Sequence, residues 1–291
     1  MTDATHTVAE RSGLSRFTSI ARPIDPSYVT NKALLYLLPL LGVLSAVIAW
    51  ASGNTENAAG VAFSGVLVAF IAWALTRDLA PDYVEASFIA LACAWLGSLT
   101  VGTGQVLTAF AVLLLIRVVN RCTGLPLTWF DTFSVLGFIT YTALQTDQPL
   151  LVLVMAVAFA GDAFLNEPLR RHAVAALLCM PLFVWVLATS PGFAVDSLAA
   201  IDWIILSVSL LGGVLLVTLS PEPISYYDNA YDRLDRYRVS AGFIVGLLAG
   251  LQTVVTLGPT AWFETPIWAC LSVVLVSFAV RRLREWRAAT T

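Results

Sequence analysis

Apolar stretches follow one another from residue 33 to residue 280 with few charges inside them, and that pattern limits what the chain can fold into. A helix needs about 20 apolar residues to cross a hydrocarbon core of about 30 Å. Runs of that length recur here, so the solvent the chain is built for is lipid. Of its 291 residues 58% are hydrophobic and 12% charged, where soluble domains average about 45–50% and about 25%, and mean hydropathy is +0.82.

The first two spans read at 33–52 and 58–76. The region 86–119 is too long for one crossing and is broken by Val101-Gly102-Thr103-Gly104, so it divides into two short helices. The region 132–165 divides in the same way at Thr146-Asp147-Gln148-Pro149. Four more spans follow at 172–189, 203–220, 239–257 and 266–280. The expectation is an all-α polytopic transmembrane bundle of ten helices over 33–280, with tails at 1–32 and 281–291.

Basic residues test the two splits independently, because short cytoplasmic connections collect Lys and Arg. With ten spans and the amino terminus inside, all 16 Lys and Arg fall on one side of the membrane. Merging either short pair would throw the downstream arginines onto the opposite side. Both termini are therefore expected in the cytoplasm, at the cell membrane. Trp50, Trp73, Trp129, Trp203, Trp262 and Trp286 all lie near span ends, where an indole sits at headgroup level.

One lysine stands against fifteen arginines. With modest acidity and Ala/Val/Leu-rich spans, this composition resembles that of multi-pass membrane proteins of salt-loving archaea, a likeness that implies no activity. No basic stripe lies outside the connections, so nucleic acid is not an expected partner. The four cysteines lack zinc-ligand spacing, and the two histidines, His6 and His172, are too few for a histidine-rich metal site. Residues 1–32 lack the apolar core of a signal peptide and read as a cytoplasmic tail. Serine-histidine, cysteine-histidine and metalloprotease motifs are absent, so a hydrolase has no identifiable nucleophile.

Three polar groupings are candidate sites. Arg117, Asn120 and Arg121 share a helix face at i, i+3, i+4, where two guanidiniums and a carboxamide can hold a phosphate or carboxylate; Asp131 follows as a cap for the next helix. Their ordinary role is to snorkel at a span end. Asp162 lies inside an apolar run about one turn from its end and needs a partner, for which Arg117 or Arg121 is the natural choice. Asn166, Glu167, Arg170 and Arg171 follow it and complete a possible floor for an anion.

The third grouping pairs Asp78 with Asp82 and Asp228 with Asp232, each as Asp-x-x-x-Asp in a connection on the basic side. In this it resembles membrane prenyltransferases of the UbiA type, and the resemblance implies paired aspartates holding Mg²⁺ against a diphosphate. The first connection lacks that family's asparagine and third aspartate, and the second pair lies two spans too late. Alternating Asp and Arg in this connection also suits a solvated helix.

Three functions remain open: a permease for a neutral, lipid-like or anionic molecule, an enzyme acting on a phosphate-bearing lipid with Mg²⁺ as its cofactor, and a non-catalytic scaffold. The partners common to them are the bilayer and an anionic lipid or small anion. A carrier predicts a cavity reaching toward the midplane, an enzyme predicts a metal or phosphate pocket beside the Glu222 to Arg236 connection, and a scaffold predicts neither.

Overall fold

The computed structural model describes residues 17–22, 24–101, 106–228 and 232–290. Ten α-helices run in order: α1 (Val29–Ala51), α2 (Ala58–Leu79), α3 (Val84–Val101), α4 (Val106–Asn120), α5 (Trp129–Gln145), α6 (Leu150–Phe164), α7 (Arg170–Thr189), α8 (Ala200–Leu219), α9 (Arg236–Leu257) and α10 (Thr265–Thr290). Among the described residues there is no strand, only an isolated antiparallel bridge between Tyr226 and Arg233. Six helices, α1, α2, α7, α8, α9 and α10, are long and apolar enough to cross a membrane, and α3, α4 and α6 are shorter apolar helices.

Both expected divisions are present. α5 ends at Gln145 and α6 starts at Leu150, with Asp147 at φ 53° turning the chain between them. α3 ends at Val101 and α4 starts at Val106, while Gly102, Thr103, Gly104 and Gln105 lie outside the described residues. The carboxy-terminal stretch read as a tail continues α10 instead, through Arg281 to Thr290.

α9 forms the centre, packed on α4, α6 and α2. Its glycines permit this: an added Cβ on Gly246 would meet Leu79 of α2 at 3.1 Å, and one on Gly250 would meet Leu271 of α10 at 2.8 Å. The Gly246-to-Gly250 spacing thus serves close helix approach. α8 is peripheral, with 17% of its span buried against 61% for the α9 segment. Trp50, Trp129, Trp203 and Trp286 are exposed, but Trp73 is buried in the core and is not an interface anchor.

Segment 17–22, read from sequence as part of a tail, lies across one end of the bundle. The Thr128 hydroxyl donates to the Phe17 carbonyl, the Ser19 amide to Asp131, the Thr123 hydroxyl to the Ser19 carbonyl and Arg117 to the Ile20 carbonyl. Ile20 is buried beneath it. Arg281 of α10 stacks over Tyr83, in the α2–α3 connection that follows Asp78.

Candidate functional site

α4 and α6 have 15 residues each, about 22 Å at 1.5 Å per residue, and both stop short at the arginine-rich end. Arg121, just past α4, takes φ 45° and turns off the helical path. Its Nε donates to Asp162 Oδ1 and its Nη2 to Oδ2, each at 2.7 Å, a bidentate pair. Its Nη1 reaches the Glu167 carbonyl at 3.1 Å. Arg238, two residues into α9, donates from Nη1 to Asp162 Oδ1 at 2.9 Å and to the Val119 carbonyl at 2.7 Å, and from Nη2 to the Asn166 carbonyl.

His172 closes the ring, with Nδ1 2.7 Å from Asp162 Oδ2 and Nε2 3.0 Å from the Thr132 hydroxyl. A carboxylate only accepts, so Nδ1 carries a hydrogen. Arg121, Asp162, His172 and Arg238 are each at most 5% exposed. Two guanidiniums face one carboxylate, and the balance comes from carbonyls at the carboxy-terminal ends of α4 and α6, each end worth roughly half a negative charge. The arrangement is internally satisfied. It joins α4, α6, α7 and α9 and leaves no donor aimed at a ligand.

A second cluster centres on Asp78 at the end of α2. Its carboxylate takes Arg117 Nε at 2.7 Å and Arg22 Nη1 at 3.2 Å, and its carbonyl takes Asn120 Nδ2 at 2.7 Å. Arg22 also pairs with Asp228, Nε to Oδ2 at 2.6 Å. Burial alone would lower the Arg22 guanidinium, but the carboxylates of Asp78 and Asp228 outweigh it and hold the group above its usual value. Burial, and next the nearby Asp78 charge, pushes the Cys122 thiol well up.

The shared-face clamp expected of Arg117, Asn120 and Arg121 therefore does not form. Helical spacing ends at Asn120, so Arg117 and Asn120 serve α2 while Arg121 serves α6. Asp162 takes Arg121, not Arg117, as its partner. Asp131 is the third helical residue of α5, exchanging hydrogen bonds with the cap Thr128. Asn166 reaches Asp235 with its side chain, Glu167 and Arg170 are exposed, and Arg171 stacks over Trp129 and donates to the Leu127 carbonyl.

The aspartate pairs fare similarly. Asp82 accepts the amides of Ile224 and Ser225 and the Ser225 hydroxyl; Asp228 is held by Arg22 and Asp232 is exposed. A guanidinium stands between Asp78 and Asp228, where the metal reading needs a cation. Among the described residues no three His, Cys, Asp or Glu side chains are grouped to hold a metal.

What the sequence reading missed lies beside these clusters. An open, shallow cleft with a cavity volume of ≈ 50 Å³ runs between α8, α9, α10 and the α2–α3 connection. Leu79, Leu216, Phe243, Val274 and Phe278 form apolar walls, and Arg236 and Arg281 also line it. Arg236 and Arg238 are two positions apart, about 200° around α9, so one serves the cleft and the other the Asp162 cluster. That offset was the available signal. Between α2, α4, α9 and α10, Leu75, Val112, Ile116 and Ile267 line an apolar crevice with no room for a water molecule. No known protein family, curated protein or solved structure matches this chain.

Proposed function

We propose that this membrane protein binds a phosphate-bearing, lipid-like amphiphile in the cleft beside α8, with its basic end in the cytoplasm, and handles that molecule as a carrier does rather than transforming it. The observation that supports this is the cleft's chemistry: apolar walls that suit an acyl chain, with Arg236 and Arg281 lining the same cleft to suit an anionic headgroup. Arg236 donates to the Thr218 carbonyl at 3.3 Å, and Arg281 shares Glu285 with Arg282. The placement of all 16 basic residues on one side supports the orientation. At this end Asp78, Asp162 and Asp228 are bound by guanidiniums and Asp82 by backbone amides, which favours carriage over catalysis.

The test is thermal stabilisation of the purified protein by phosphatidylglycerol, phosphatidylcholine and inorganic phosphate. Selective stabilisation by phosphatidylglycerol is expected. Arg236→Gln/Arg281→Gln should weaken it on the order of 20- to 30-fold, at about 1 kcal/mol for each interfacial arginine. Equal responses to the two lipids, or an unchanged response in the double variant, would overturn the reading. A response to phosphate alone would show an anion site without lipid recognition.

A further inference from the structure

We infer that Arg22 is a latch on this cleft, holding its two walls together from outside. The inference rests on the cleft being the lipid site. One wall, residues 79–83, follows directly on Asp78; the other includes Ser220, Pro221 and Pro223, on the connection that leads to Asp228. Arg22 bridges Asp78 and Asp228 with a single guanidinium: Nη1 reaches Asp78 at 3.2 Å, while Nε at 2.6 Å and Nη2 at 2.7 Å hold Asp228 bidentately.

The two halves of this bridge differ in shielding. The Asp78 side chain is 1% exposed and also held by Arg117, whereas Asp228 is 31% exposed. Solvent and salt screen the exposed half far more than the buried one. The Asp228 half is the shorter and is bidentate, but it is the half that salt reaches, so salt loosens it while segment 17–22 stays seated through Asp131, Thr123 and Arg117.

What remains on the far wall is the Asp228 amide to the Cys122 carbonyl at 3.2 Å, and Asp82 holding the Ile224 and Ser225 amides and the Ser225 hydroxyl. Asp82 joins the walls near the cleft itself and acts as a hinge. Parting the latch lets the 220–228 connection swing about that hinge, so lipid enters and leaves between α8 and the α2–α3 connection.

The full chain in phosphatidylglycerol nanodiscs provides the test, reading the exchange rate of nitroxide-labelled phosphatidylglycerol by its quenching of tryptophan fluorescence. Arg22→Gln and Asp228→Asn should each speed exchange about two- to fivefold, the range of one exposed ion pair. The double variant should match either single one, and 0.5 M salt (roughly a 4 Å screening length) should speed wild type but not the variants. Wild-type exchange in both variants, with wild type still preferring phosphatidylglycerol over phosphatidylcholine, would overturn the latch and leave the site standing. No lipid preference in wild type would overturn both.

Discussion

Replacing Asp162 by asparagine should destabilise the protein more than any other isosteric change at the basic end. Oδ1 takes Arg121 and Arg238, and Oδ2 takes Arg121 and His172. An amide has one acceptor oxygen, so whichever way it sits its NH₂ meets two donors. Both guanidiniums stay buried with no carboxylate, left with one amide oxygen and the carbonyls of Val119, Asn166 and Glu167 as neutral acceptors. Stranding a buried charge in this way costs about 3–5 kcal/mol, and at about 2–4 °C per kcal/mol the midpoint should fall by roughly 6–20 °C. Circular dichroism melts in a mild detergent read this directly. Arg121→Gln should cost a similar amount, and Arg121→Gln/Asp162→Asn less than the sum by up to about 3 kcal/mol, because the two residues share one interaction. A loss under about 1 kcal/mol for Asp162→Asn would mean that water reaches the cluster, and the account of a dry, dipole-balanced network would be wrong.

Other expectations follow from the same contacts. Gly250→Val should cost about 1–3 kcal/mol, since even a Cβ meets Leu271 at 2.8 Å, while the same change at exposed Gly137, where no atom lies within 4 Å, should be close to neutral in the melt. Asp131→Ala removes a capping-box partner and the seat of Ser19 together, so a loss of about 1–2 kcal/mol is expected, with faster proteolysis near residue 17. Burial raises the Cys122 thiol above its ordinary 9.0, so the folded protein keeps that proton when the unfolded chain loses it. Stability should therefore be full below pH 9 and fall as pH rises beyond it. Cys122→Ala should flatten that alkaline decline, and an unchanged slope in urea titrations would place its origin elsewhere.

The architecture was legible because lipid imposes a length and the positive-inside rule imposes a parity. Span starts and breaks could be misplaced by a few residues without changing either. The clusters were less legible because pairing depends on where a helix stops. Up to Asn120 the i, i+3, i+4 pattern describes the backbone, but Arg121 lies one residue past the end and its φ of 45° sends it to another helix. The partner of Asp162 was readable from the shared end of two spans. Arg238 was not, since it arrives from α9 and its relation to α6 is a matter of packing. His172 was passed over as a lone histidine, and Arg22 as part of a polar tail. The cleft belongs to four separate elements, and only the two-residue offset of Arg236 and Arg238 hinted at it.

The Asp162 cluster also sets an order of events at the ribosome. Arg121 and His172 flank Asp162 in the chain by 41 and 10 residues, but Arg238 lies 76 residues downstream. At about 5–20 residues per second, it emerges roughly 4–15 s after Asp162. During that interval Arg121, made 41 residues earlier, is available to neutralise the aspartate, which would let α4 and α6 enter the bilayer as a paired unit. The insertion machinery need not shelter an isolated charge, and α9 joins a preformed dock whose remaining free carbonyls select for its arginine.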